Sequence, residues 1–248
     1  MLKIRNKNDK EAEIFISGDI IDDQEGDFLS AVWGVESGYE WPAKIRQQLD
    51  ELKGKDLTIY INSDGGLVNA GVAMANMIAR HDGHTTAIID GWCCSIATQI
   101  FFAADERKMP ANAYLMIHKP TGPEDGNADD HRKVADILDT LQEGLESTYR
   151  KAKLDGVTDG QITAMVNDET WLTGEDAAKI FKIEVLEPSE AAACAAGKRP
   201  VNFKKAPKVL QFAARDKPEP ESAGDDNDHE IDKAKINIAL ALAKGVLQ

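Results

Sequence analysis

With 248 residues, 42% of them hydrophobic and 29% charged, the chain has room for one sizeable soluble domain and an appendage. Its formal net charge of −14 argues against non-specific nucleic-acid binding, which needs a basic face, and against docking on anionic membranes. No run approaches the roughly 18 apolar residues of a membrane span, and the start Met-Leu-Lys-Ile-Arg-Asn-Lys-Asn lacks the apolar core of a secretory signal.

In chain order, Glu13 to Ser17 alternates, with Ile14 and Ile16 on one side, and predicts a first strand. Residues 18–39 are polar and glycine-punctuated, and read as a loop with one helical turn around Phe28 to Trp33. Pro42 suits a first helical turn, Ile45, Leu49 and Leu52 follow at helical spacing, and Gly54 ends the helix. Leu57 to Asn62 is a near-continuous apolar run, read as a strand buried on both faces. Ser63-Asp64-Gly65-Gly66 reads as a tight turn out of it, and Val68, Val72, Ala75 and Ile78 recur at helical spacing.

Thr85 to Ile89 is a β-branched run that predicts a strand, and Ile96 to Ala104 is almost wholly apolar and predicts a buried helix. Ser95 stands where the one becomes the other. Tyr114 to Ile117 predicts another strand, ended by His118. This βαβ rhythm implies a parallel sheet covered by helices. A helix of about seven turns is expected from Asp129 to Leu154, with Val134, Ile137, Leu138, Leu141 and Leu145 on one stripe. Its length suits a helix that projects to meet a partner subunit. Thr158 with Gln161, and Thr173 with Asp176, mark two further helix starts, and Ile183 to Leu186 a last strand. Beyond Pro188 the composition turns alanine-rich, then basic, then rich in Asp, Glu, Pro and Gly, which predicts a solvated linker; a short amphipathic helix is expected over 231–247. The domain boundary therefore falls at 187/188.

The three cysteines, Cys93, Cys94 and Cys194, form no disulfide framework and fit a reducing, cytoplasmic setting. Of the five histidines, His229 lies in the acidic linker and His131 on the polar start of the long helix. His81 and His84 lack a third metal ligand nearby. His118 differs, because it ends a buried strand, where sites gather in parallel sheets. Ser95 has two readings: a helix cap, or a nucleophile beside the unpaired N–H groups and positive dipole of a helix start. Asp168 and Glu169 either cap or hold a charge for the site. Gly65-Gly66 can take positive φ and approach closely, as an oxyanion donor or the wall of a peptide groove, but no Gly-Lys-Ser/Thr follows for a nucleotide.

Taken together, Ile61-Asn62-Ser63-Asp64-Gly65-Gly66, Gly91-Trp92-Cys93-Cys94-Ser95-Ile96-Ala97, Leu115-Met116-Ile117-His118-Lys119-Pro120 and Trp171-Leu172-Thr173-Gly174-Glu175-Asp176-Ala177 resemble the Clp protease proteolytic subunit family, in order and spacing, over about Ile14 to Leu186. The resemblance implies an α/β protein with the ClpP/crotonase-like fold of repeated β-β-α units and a long projecting helix, acting as a serine peptidase on polypeptides with no cofactor and no metal. By position, Ser95 would be the nucleophile, His118 the general base, and Glu169 the acid, with Asp168 as the alternative. The N–H groups of Gly66 and Ile96 would form the oxyanion hole, and Gly65 and Leu67 would line the substrate groove. The family further implies stacked homo-oligomeric rings joined through the long helix, and leaves open an ATPase partner.

Departures from the family pattern are Asp64 for a proline, the Cys93-Cys94 pair before the serine, a glutamate for an aspartate at 169, and the C-terminal extension. ClpP-like proteases of phage heads, which cut scaffold and capsid proteins in the host cytoplasm or inside the prohead, share the fold and often carry extra C-terminal sequence, so the extension makes that subgroup the preferred reading of the resemblance. The alternatives are a housekeeping-type Clp peptidase subunit, a catalytically silent ring-forming assembly protein, and a crotonase-type acyl-CoA enzyme, which the Ser95 and His118 placement speaks against. A cysteine nucleophile at 93 or 94 would shift the register away from the helix start. An α/β-hydrolase is disfavoured by the order Ser, His, acid and by the missing Gly-x-Ser-x-Gly.

Overall fold

The computed structural model describes residues 4–6, 8–34 and 38–188, all within one of the two units into which the chain divides, Met1–Ala213. The expected linker, the helix at 231–247, Cys194 and His229 lie outside the described residues, and the 187/188 boundary lies at their edge. In order the elements are β1 (Ile4–Asn6), β2 (Glu11–Ile20), α1 (Asp23–Trp33), β3 (Tyr39–Glu40), α2 (Pro42–Glu51), β4 (Asp56–Gly66), α3 (Val68–Ile78) and β5 (Thr85–Cys94). They continue as α4 (Ala97–Ala103), β6 (Glu106–Pro110), β7 (Tyr114–Ile117), α5 (Ala128–Ala152), α6 (Asp159–Asn167), β8 (Thr170–Thr173), α7 (Gly174–Ala178) and β9 (Glu184–Leu186). The strands form a mostly parallel sheet of order β1-β2-β4-β5-β6-β9, with β3 on β2, β7 on the far end of β5, and β8 antiparallel to β7. This is the α/β architecture expected of the ClpP fold. No helix among the described residues is long and apolar enough to cross a membrane.

The sheet buries one face. Leu57, Ile59 and Ile61 of β4 are buried, while Thr58, Tyr60 and Asn62 between them are half-buried, so the apolar run alternates and is not covered on both sides. Ile14 and Ile16 of β2 and Ala87 and Ile89 of β5 share the core with Ile45, Met74, Ile78, Ile100 and Phe101 of the helices. Each such side chain contributes on the order of 1.5–3 kcal/mol when fully buried. On the other face Phe15 stacks on Tyr60, ring centroids 5.1 Å apart.

Three segments differ from the expectation. The helix in the 18–39 stretch has 11 residues, because Asp22 caps it by accepting from the Glu25 N–H and Gly34 closes it in the left-handed conformation. Ser63 to Gly66 does not turn: β4 stays extended to Gly66, with Asp19 opposite Gly65 and Ile20 opposite Gly66. Between the helix starts marked by Thr158 and Thr173, where no strand is expected, β8 begins at Thr170 and pairs with β7.

Candidate active site

The site is built at the ends of β4, β5 and β7. Cys94 closes β5 opposite Met116, and the Ser95 N–H still donates to the Met116 carbonyl at 2.9 Å. Ser95 then leaves the sheet with φ 56°, in the left-handed region that β-carbons disfavour. Ile96 is the N-cap of α4, at the helix end where backbone N–H groups have no intrahelical acceptor. The Ser95 carbonyl accepts from the Thr98 N–H at 3.1 Å and from the Thr98 hydroxyl at 2.6 Å.

Gly65 backs this turn. A β-carbon on it would stand 2.7 Å from Ser95 Cβ and 2.9 Å from the Cys94 carbonyl oxygen, and its φ is 99°. Its N–H donates to Ser63 Oγ, which itself donates to the Gly18 carbonyl at 2.6 Å, so the end of β4 is tied to β2 beside the site. Gly66 (φ 148°) and Leu67 follow at the exposed strand end, Gly66 so close to Ile20 that a β-carbon would fall 2.0 Å from its carbonyl oxygen. Gly71 of α3 lets Ile96 pack, its absent β-carbon leaving room 2.3 Å from Ile96 Cγ1.

His118 follows β7, and its Nε2 lies 2.8 Å from Ser95 Oγ. Half-burial pushes the imidazole pKa below its ordinary 6.5, and the Glu169 charge acts in the opposite sense. The β7–β8 register explains why this carboxylate is the one felt. Ile117 pairs with Thr170, so one further antiparallel step sets His118 against Glu169. Glu169 is half-buried with φ 50°, and accepts from Trp171 Nε1 at 3.5 Å. Asp168 is exposed and serves as the C-cap of α6. The structure therefore brings Ser95, His118, Glu169, Gly65, Gly66 and Ile96 to one end of the sheet.

Cys93 and Cys94 are fully buried, and burial pushes both thiols far above their ordinary range, so neither is a ready nucleophile. Asp64 is half-buried beside them; burial raises its pKa and a hydrogen bond from Trp92 opposes the shift. Away from the site, His81 Nε2 meets the Lys55 carbonyl at 2.8 Å, and exposed His84 lies 3.5–3.6 Å from Glu106 and Asp105. Two residues close to Ser95 carry no local signal in the sequence. Thr98 Oγ1 and Tyr149 Oη are 2.6 Å apart, yet 51 positions separate them along the chain.

A sequence model of the Clp protease family matches residues 3–181. The ATP-dependent Clp protease proteolytic subunit of Bacteroides fragilis is 29% identical over 133 residues, 53% of this chain and 63% of the relative. That of Bacteroides thetaiotaomicron is 30% identical over 134 residues, 53% of this chain and 60% of the relative. The ATP-dependent Clp protease proteolytic subunit 1 of Leifsonia xyli is 26% identical over 144 residues, 57% of this chain and 72% of the relative. The chain thus spans about three fifths of the length of the Bacteroides relatives.

Proposed function

The chain belongs to the Clp protease family, and on that premise we propose that it is a serine endopeptidase with Ser95 as nucleophile, His118 as general base and Glu169 as the acid. The observation that carries this reading is the 2.8 Å contact between Ser95 Oγ and His118 Nε2. Nε2 must be unprotonated to accept, and half-burial favours the neutral ring. His118 takes the hydroxyl proton as Oγ attacks a peptide carbonyl. The Gly66 and Ile96 N–H groups receive the oxyanion, and one such donor is typically worth ~10²–10³ in rate. The Glu169 charge stabilises the imidazolium, which returns its proton to the leaving amine, and water then releases the acyl-enzyme.

Gly65 and Leu67 would border the bound polypeptide. The stretch beyond Pro188, past the family match, favours scaffold and capsid proteins of an assembling phage head as substrates, cut in the host cytoplasm or within the prohead. A homo-oligomer joined through α5 fits the exposed apolar residues of that helix, Ile137 and Leu141.

The test sets the purified chain beside Ser95→Ala. The wild type is expected to label at Ser95 with a fluorophosphonate and to cleave casein, while Ser95→Ala does neither and keeps its assembly state. Unchanged cleavage by Ser95→Ala would overturn the assignment. A wild type that fails to label would point to the silent assembly protein, and specific acyl-CoA binding to a crotonase-type enzyme.

A further inference from the structure

We propose that Thr98 and Tyr149 form a two-hydroxyl latch that holds Ser95 in its left-handed conformation and so aims both its Oγ and the following N–H. A non-glycine residue at φ 56° persists only where its surroundings over-determine it. Its N–H is held by the Met116 carbonyl, and its carbonyl by Thr98, through the N–H at 3.1 Å and the hydroxyl at 2.6 Å. The peptide between Ser95 and Ile96 is planar and trans, so its N–H points opposite to its C=O. Whatever fixes the Ser95 carbonyl therefore also fixes the direction of the Ile96 N–H, the proposed oxyanion donor.

The proton count makes the latch directional. A carbonyl can only accept, so the single Thr98 hydroxyl proton goes to Ser95, and the 2.6 Å contact to Tyr149 is made by the tyrosine proton. That phenol is a dependable donor, since complete burial pushes its pKa up to about 12. Gln99, whose Nε2 donates to the Leu145 carbonyl, also bonds the Tyr149 hydroxyl. The ring is fixed against Phe102 and Phe181, at centroid distances of 5.7 and 6.3 Å. Thr98 is fully buried and Tyr149 nearly so, which leaves no water to substitute for either hydroxyl at low cost. Both are positioning residues, and neither touches the reacting atoms.

The kinetic half of this inference rests on the serine-peptidase reading; the structural half does not. In the full chain, Thr98→Val is expected to lower kcat for a fluorogenic peptide by ~10–100-fold with KM nearly unchanged, because misaimed groups lose rate before binding. Tyr149→Phe keeps the ring and is expected to lose roughly 3–30-fold, while Thr98→Ser restores turnover to within about threefold of wild type. Thr98→Val with Tyr149→Phe strands no buried hydroxyl, so its thermal stability recovers relative to the single variants while its turnover does not. Should Thr98→Val fail to fold, Tyr149→Phe and the double variant carry the test. Wild-type kcat in folded Thr98→Val or Tyr149→Phe, or recovery of turnover together with stability in the double variant, would overturn the latch. If the wild type neither cleaves nor labels, the peptidase reading fails, and a crystal structure of the double variant still decides. A flipped Ser95–Ile96 peptide or an opened Ser95–His118 contact supports the latch; an unchanged turn refutes it.

Discussion

Ser95 and Glu169 are the two non-glycine residues with positive φ in the described part of the chain, at 56° and 50°. Such backbone costs of order 1–3 kcal/mol per residue, and it gathers where function constrains geometry. His118 lies between them, in contact with one and subject to the charge of the other. This arrangement gives a pH prediction with a definite sign. In the proposed mechanism the neutral ring is the base, and burial lowers its pKa, so the acid limb of kcat/KM should fall below the ordinary 6.5. Glu169 raises that pKa, so Glu169→Gln should move the limb to still lower pH while cutting kcat by ~10²–10⁴. A limb that ignores Glu169→Gln but shifts down in Asp168→Asn would hand the role to Asp168. At this scale Ser95 and His118 stand out in the sequence, because each sits at the end of a recognisable strand. For the proposed acid the sequence favours Glu169 over the alternative Asp168 only through the resemblance, since the choice depends on how β7 pairs with β8, a partnership made across more than fifty positions. The Thr98–Tyr149 contact was unreadable for the same reason.

The elements themselves were mostly legible. Helical spacing located α2 and α3, capping boxes located α6, and a threonine cap located α7. The errors lay where tertiary pairing overrode local chemistry. Ser63-Asp64-Gly65-Gly66 has turn composition, yet β2 on one side and the Ser63 hydroxyl within the strand hold it extended. The glycines are needed there for closeness and for their positive φ, not to reverse the chain: Gly65 admits Ser95, and Gly66 admits Ile20. Gly65→Ala should therefore be severe. Its β-carbon would meet Ser95 Cβ at 2.7 Å at a φ of 99°, both backed by main chain. A displacement of about 1 Å at the nucleophile costs on the order of 10²-fold in rate, and the strain should lower stability by ~1–3 kcal/mol. Gly160→Ala, which meets nothing within 4 Å, is the control and should leave turnover unchanged. Steady-state turnover and urea unfolding of the two variants check this; a Gly65→Ala enzyme with wild-type kcat would show that the close approach is not functional. The stretch leading to Glu169 is tied to α5, where Glu146 accepts from Thr163 of α6 and Gln142 donates to Asn167, two residues before Glu169.

At the scale of the whole molecule, α5 is the feature that a lone subunit does not explain. Its 25 residues span about 37 Å at 1.5 Å each. The last turns are anchored by buried Leu145, Tyr149 and Ala152, and Tyr149 is also the α5 half of the proposed latch on Ser95. The first turns leave Ile137 57% exposed and Leu141 36% exposed on the same stripe, flanked by half-buried Val134 and Leu138. The Asn127 capping box and Arg150 with Lys151 in the last turn stabilise the helix from both ends, so it can stand without covering its apolar side. A chain with a net charge of −14 resists association through its surface at large, and apolar contact along this stripe is the route that charge least opposes. Ile137→Asp with Leu141→Asp should therefore dissociate the assembly proposed above. Sedimentation equilibrium would show subunits in place of the wild-type oligomer, and circular dichroism would show helix content retained, because neither residue packs in the core. Turnover should fall with assembly only if the subunit contact also steadies the anchored end of α5, where Tyr149 reaches Thr98. A double variant that stays assembled, or a wild type that sediments as single subunits, would remove α5 from that role and leave the latch as a device internal to one chain.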